Sequence, residues 1–328
     1  MNVLILGGTV YVSKEIARQA KERGHQVTVA CRGESGEPPP GVDMIRVDRS
    51  NASSIEALRG KEFDAVVDVA SVPFFVKAVI AVLGEVGHYT YVSSVSAYKD
   101  PSIAGASAAT GDVFEPVADD SPDEASGDPE LYGRNKVTCE NLVRDQFGDR
   151  AFIPRPGLIV GPNDTADRFG YWPWRVSQGG QVLAPPKDKK LQWVDVRDLS
   201  QWIITAFETG LSGTYDAICQ PITWGEFLPK VSEAVGTRAE FVYTTDEFLL
   251  DNDVKPFVGD DSLGFWVPSS HEGMLAHDAT DALAAGLTIR PLADTIAGWQ
   301  ETNTEADLIA KLSLETEQEV LEAWDTDF

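Results

Sequence analysis

The run Val3-Leu4-Ile5-Leu6, ending at Gly7-Gly8-Thr9, constrains the fold of this chain more than any other segment. Four consecutive apolar residues suit a strand buried on both faces, and the glycines beyond them suit a tight turn. Residues Ser13 to Arg23 are rich in helix formers, and Gly24 stands where such a helix would stop. His25 to Ala30 then reads as a second strand. Strand, glycine turn, helix and strand in this order is the setting in which a dinucleotide pyrophosphate rests on a helix N-terminus. The chain is therefore expected to be α/β, with a doubly wound parallel sheet.

The glycine spacing departs from the usual fingerprint. On a G-x-x-G-x-x-G count from Gly7, Val10 and Ser13 replace the second and third glycines. Serine is nearly small enough for helix to pack on strand, whereas valine alters how the loop approaches the phosphates. The second strand ends at Ala30-Cys31-Arg32-Gly33, with an arginine and no acid. An acid there would bind a ribose 2′-hydroxyl and an arginine suits a 2′-phosphate, so NADP is expected, with NAD as the alternative.

Further along, Tyr132-Gly133-Arg134-Asn135-Lys136 places a tyrosine and a lysine four residues apart, on one face of a helix. A phenol titrates near pH ~10, and a cation beside it favours the phenolate; a three-unit shift takes roughly 4 kcal/mol. Upstream lies the hydroxyl cluster Tyr91-Val92-Ser93-Ser94-Val95-Ser96-Ala97-Tyr98. Ser94 is placed to hold a substrate oxygen while Tyr132 exchanges its proton and Lys136 supplies the positive charge.

With these parts in order, the chain resembles the extended short-chain dehydrogenase/reductase superfamily, the NAD(P)-dependent epimerase/dehydratase group. Gly7-Gly8-Thr9 with Tyr11 looks like that group's nucleotide turn, and Asp64 to Ala70 like its fourth strand. Val92 to Tyr98 resembles the fifth-strand segment, with Ser94 at the place of the catalytic serine. Arg155 to Pro162 is similar to the sixth-strand motif beside the nicotinamide, and Gln192 to Leu199 to the segment that returns the chain to the nucleotide domain. Asp167 to Pro173 is similar to a segment of a reductase-like branch. The resemblance implies a Rossmann-type sheet with a smaller substrate domain. It implies cofactor contacts at Gly7, Gly8, Thr9, Val10, Tyr11, Val12, Arg32, Asp48, Arg49, Ala70, Ser71, Tyr132, Lys136, Pro156, Gly157 and Leu158. Substrate contacts are expected from Ser94, Ser96, Arg168, Tyr171 and Trp172.

Residues 1–165 with 190–220 are read as the dinucleotide-binding domain, and 166–189 with 221–328 as a mostly helical substrate domain. The order βαβα is expected through about residue 160, then a strand and helix rejoining the sheet between Trp193 and Tyr215. Ser102 to Pro129 reads as a surface loop able to cover the site, and Glu305 to Trp324 as an amphipathic terminal helical segment. The aromatic run Phe169-Gly170-Tyr171-Trp172-Pro173-Trp174 fits a pocket wall or packing between domains equally well. Arg168, Arg175 and Arg290 are candidates for a bidentate hold on a sugar-nucleotide diphosphate.

The 328 residues carry 52 acidic against 27 basic side chains, a net charge of −25. Such a field repels nucleic-acid backbones and anionic membranes, and suits an acidic, well-solvated surface in a salt-tolerant host. That charge counts against an RNA-binding relative. Cysteines 31, 139 and 219 and the four histidines have no metal-ligand spacing; the cysteines read as reduced thiols and the histidines as structural. The sequence enters strand one directly and no apolar run approaches ~18 residues, so a cytoplasmic enzyme is expected, with a homodimer as the candidate assembly. The leading function is proton and hydride transfer on a small polar hydroxy or keto compound or a sugar nucleotide, as a reductase, epimerase or dehydratase. The alternative is a non-catalytic NADP-binding sensor.

Overall fold

Strand β1 (Asn2–Leu6) is buried from Val3 onward, and its side chains alternate between two cores. Val3 and Ile5 face one side, packed with Ala17 and Ala20 of α1 (Tyr11–Glu22); Leu4 and Leu6 face the other. A strand sandwiched this way has no polar face, which is why its sequence is uniformly apolar. The computed structural model describes residues 1–122, 125 and 127–327. After β1 and α1 come β2 (Gln26–Cys31), β3 (Asp43–Arg46), β4 (Phe63–Asp68), α2 (Pro73–Ile80) and β5 (Val86–Tyr91). Then follow α3 (Pro129–Phe147), β6 (Ala151–Pro156), α4 (Val196–Thr209) and β7 (Gly213–Ala217). The seven strands form one parallel sheet in the order β7-β6-β5-β4-β1-β2-β3. Helices α1 and α4 cover one face and α2 and α3 the other, a Rossmann-type arrangement.

Two expectations are corrected. Between β2 and β3 there is no helix: residues 33–42 contain Gly33, Pro38, Pro39, Pro40 and Gly41, which break helical hydrogen bonding. The terminal helix begins only at Leu314 (Leu314–Asp327), because a short 3-10 turn (Glu305–Asp307) and a two-residue strand (Ala310–Lys311) precede it. The segment 102–129 is irregular, and its residues 123, 124 and 126 lie outside the described residues. It is tied down where Gly105 N donates to Ala276 O at 2.6 Å and Asp278 N to Ala106 O at 3.0 Å.

A third core gathers Phe169, Tyr171, Trp172, Trp224, Phe227, Trp266 and Trp299 around helix Trp224–Val235 and the parallel pair Gly180–Ala184 with Ala239–Tyr243. Val194–Asp195 pairs with Ile159–Val160 and feeds α4, returning the chain to the sheet. Among the described residues, no helix is long and apolar enough to cross a membrane.

The charge of −25 opposes compaction through self-repulsion that salt screens. Raising KCl from about 0.05 M to about 1 M shortens the Debye length from well over 10 Å to about 3 Å. The urea midpoint followed by circular dichroism should therefore rise across that range. A flat midpoint would show that the acidic surface carries no net repulsive cost.

Candidate active site

The nucleotide turn is built by close approach. Gly7 and Gly8 have φ of 120° and 95°, and a Cβ on Gly8 would lie 2.2 Å from Val29 Cγ1. Thr9 is buried, Val10 is 39% exposed, and Val12 is half-buried. Val10 occupies the N-cap of α1 with no side-chain cap, while Ser13 Oγ donates to Val10 O at 2.9 Å. The first-turn amides of α1 thus lack a side-chain acceptor, the condition under which a helix start receives an anion. These residues fit a dinucleotide pyrophosphate despite the missing glycines. Tyr11 follows at φ 35°, with its hydroxyl buried and, among the described residues, without a hydrogen-bond partner.

Just past the end of β2, Arg32 is 62% exposed and, among the described residues, pairs only with exposed Glu34, at 3.4 Å. Asp48 accepts hydrogen bonds from the Ser50 amide and hydroxyl, which hold its carboxyl below the ordinary range. Arg49 is committed elsewhere: it donates at 2.7 Å to Asp68, a fully buried carboxylate at the end of β4. Asp68 also accepts from Ala70 N and from the Tyr89 hydroxyl. Ser71 is half-buried beside Ala70.

Lys136 is 3% exposed, and its ammonium donates to Ala70 O at 3.0 Å and Val92 O at 2.9 Å. It also lies 5.0 Å from the Tyr91 ring centroid and 5.7 Å from that of Tyr132. Two main-chain carbonyls from the ends of β4 and β5 thus hold the charge beside the phenol. Ser94 caps the turn Val95–Ala97: its Oγ accepts from Ser96 N and donates to Ser96 Oγ, both at 3.1 Å. Helix α3 comes close to this turn at Gly133, where a Cβ would stand 2.2 Å from Ser96 O.

Ser94, Ser96, Tyr132, Gly157, Leu158 and Arg168 share the wall of one cavity of about 700 Å³ at the carboxyl ends of the strands, where open α/β sheets bind ligands. Pro156 ends β6 just behind it. A larger depression of about 1120 Å³ lies at the amino ends, lined by Asn2, Asp64 and His88, away from all these groups. Tyr171 and Trp172 do not line the cavity. Both are fully buried in the third core, and the Trp172 indole donates to Gly264 O at 2.8 Å. The aromatic run is packing, because helix Tyr171–Ser177 turns both rings inward. Arg175 and Arg290 are likewise engaged in ion pairs, with Glu317 and with Asp195 and Asp198.

Several cavity residues gave no sequence signal. Phe257 sits at φ 72°, rare for a bulky side chain, and His277 lines the wall from a loop that reads as structural. His277 is 4% exposed and stacks on Tyr98 with centroids 4.9 Å apart; burial pushes its imidazole down to about 4, so it is neutral at pH 7. Behind it the Tyr98 hydroxyl donates to both oxygens of Asp216, at 2.7 and 2.9 Å. Burial raises Asp216 to about 7, outweighing Tyr98 and nearby Arg155.

The Asp216 shift fixes the sign of a pH effect. An unfolded aspartate titrates near 3.9, so between pH ~4 and ~7 the folded state holds the extra proton. Stability from this group is complete below pH ~4 and is lost as pH rises through about 7. Wild type should therefore lose stability relative to Asp216→Asn across that window, by at most about 4 kcal/mol. Urea unfolding of both proteins from pH 4 to 8 checks this; a pH-independent difference would place the charge cost elsewhere.

Comparison with known proteins agrees with this geometry. The model of the "NAD dependent epimerase/dehydratase family" matches residues 3–217. The chain is 25% identical over 268 residues to the Haloferax volcanii protein named "Probable low-salt glycan biosynthesis reductase Agl14", covering 74% of this chain and 83% of that one. It is 25% identical over 256 residues to "Epimerase family protein SDR39U1" of Bos taurus, covering 73% and 82%. The Thermus thermophilus UDP-glucose 4-epimerase, solved with NAD, shares the fold at a TM-score of 0.59 and 16% identity, covering 92% of this chain and 99% of that one. This chain belongs to the NAD-dependent epimerase/dehydratase family and is an NAD(P)-dependent epimerase or reductase.

Proposed function

We propose that this enzyme interconverts a hydroxyl and a carbonyl on a small polar substrate, sugar nucleotides included, using Ser94, Tyr132 and Lys136. The carrying observation is the clamp on Lys136: a buried ammonium fixed by Ala70 O and Val92 O beside the Tyr132 ring, with Ser94 and Tyr132 on one cavity wall. Ser94 holds the substrate oxygen by a hydrogen bond. Tyr132 gives or takes the proton on that oxygen, and Lys136 stabilises negative charge as it develops on the phenol. Bound NADP(H) supplies the hydride acceptor or donor. Gly7, Gly8 and the start of α1 hold its pyrophosphate, and Arg32 its 2′-phosphate, because the weak exposed pair with Glu34 is readily exchanged. We place the substrate between the nucleotide-binding part (1–165 with 190–220) and the remainder.

Tyr132→Phe removes one hydroxyl at a half-buried position. Turnover should fall about 10²–10⁴-fold while the dissociation constant for NADPH stays unchanged. The assay is NADPH oxidation against a panel of ketones, aldehydes and keto-sugar nucleotides. Unaltered turnover in this variant removes the mechanism, and tight NADPH binding with no turnover on any compound favours the sensor.

For the cofactor, calorimetric titration of wild type should favour NADPH over NADH by about 10- to 100-fold, as one charge-assisted phosphate contact allows. In Arg32→Ala the two affinities should converge. Equal affinities in wild type would make Arg32 a surface charge only.

A further inference from the structure

Arg168 lines the cavity that holds Ser94 and Tyr132, and it is half-buried. Among the described residues its guanidinium makes no hydrogen bond and no ion pair, and its Nε is buried without a partner. Its nearest support is the face of Phe257, with the guanidinium carbon 4.6 Å from the ring centroid. Phe257 holds that place at φ 72°, a strained backbone for an aromatic residue, and such strain gathers where a side chain must be aimed. The two nearby carboxylates, Asp164 and Asp167, attract the guanidinium through space without a hydrogen bond or ion pair to it. Asp167 accepts from Gly170 N and the Trp299 indole, and Asp164 accepts from Ala166 N. Burial moreover raises Asp164 to about 7, which leaves it only partly ionised at neutral pH. A partly desolvated cation without a hydrogen-bonded counter-ion is costly, and an incoming anion relieves the cost.

The rest of the wall narrows the anion's carrier. Phe114, Leu158, Phe257, Met274 and Leu275 are apolar, Lys99, Asp100, Glu130 and His271 are exposed, and of the buried polar lining the Tyr98 hydroxyl is committed to Asp216 and His277 stacks on Tyr98. A sugar with several hydroxyls would leave them facing hydrocarbon. We propose that the substrate is an amphipathic keto or hydroxy acid: an apolar body against these side chains, one anionic group on Arg168, and the reacting oxygen at Ser94 and Tyr132. This rests on the reading of Ser94 and Tyr132 as the reacting pair. Arg168 is the specificity determinant for the single charge.

The test uses NADPH-loaded full-length protein and three probes of one shape: 4-acetylbenzoate, 4-acetylphenyl phosphate and the neutral 4-acetylbenzamide, with UDP-glucose as the competitor class. Calorimetry should show at least one charged probe binding wild type about 10- to 100-fold more tightly than the amide. The ratio should fall to within about twofold in Arg168→Gln and be partly kept in Arg168→Lys. Which charged probe wins assigns carboxylate or phosphate. Without ligand, Arg168→Gln should melt at or above the wild-type temperature, because it removes an unpaired cation; a structural arginine would give the opposite. The proposal is overturned if wild type does not discriminate among the probes, if the ratio survives in Arg168→Gln, if that variant melts lower, or if UDP-glucose binds best. The Tyr132→Phe variant separates the two readings: its charged-to-neutral binding ratio should stay that of wild type, so undiminished turnover in it would sink the reacting-pair reading alone.

Discussion

A buried ion pair holds the parts of the candidate site in register. Glu140, 1% exposed, receives Arg155 Nε at 2.8 Å and Nη2 at 2.6 Å, and also the Ser93 hydroxyl at 2.5 Å. Three elements meet in that carboxylate: α3, which carries Tyr132 and Lys136; the end of β5, which leads into Ser94; and β6, which leads into Gly157 and Leu158. Its oxygens are satisfied on both sides, the condition under which a buried charge is tolerated. Loss of either partner would strand the other, a penalty of about 3–5 kcal/mol. Tyr132, Lys136 and Glu140 recur every four residues, so one helix face reads cavity, clamp and anchor in succession. Gly133 then lets that helix settle against the Ser96 carbonyl without a side chain between them.

A second polar layer lies beneath the cavity floor. Arg155 stands 4.9 Å from the Tyr98 ring centroid, Tyr98 donates to Asp216, and His277 stacks on Tyr98 from the far side. Gln192 fixes His277 in turn, donating to its carbonyl and accepting from its amide. The floor is therefore continuous from α3 to the loop before residue 280 through these contacts, although among the described residues His277 Nδ1 is buried without a hydrogen-bond partner. Such a network favours one arrangement of the cavity over its near alternatives.

Much of this was legible in the sequence because it is local. The strand–turn–helix unit at Gly7 and the four-residue step from Tyr132 to Lys136 each fit inside one element. Glu140 was within reach, as one more step of four beyond Lys136, but its partners are not: Ser93 is 47 residues away and Arg155 lies on another strand. Tyr171 and Trp172 were undecidable because an aromatic run suits a pocket wall and a core alike; only the facing helix Trp224–Val235 settles it. Phe257 carried no signal at all. Nothing in its neighbours marks a left-handed backbone, and its contact with Arg168 spans 89 positions of chain. The aspartate that committed Arg49, Asp68, was visible as a strand-end acid but not as a counter-ion.

The bare start of α1 has a consequence for how long each molecule survives. With valine at the N-cap, the amides there have no protein side chain to close them, and a cap is worth about 1 kcal/mol to a helix. An anion seated at that end supplies the missing closure and, by mass action, adds stability that grows with the logarithm of its free concentration. The first turn of α1 follows the doubly buried β1 through the turn at residues 7–10, so opening it loosens the cover of the sheet centre. On the proposed seating of the dinucleotide, resistance of this enzyme to proteolysis would rise with the nucleotide concentration.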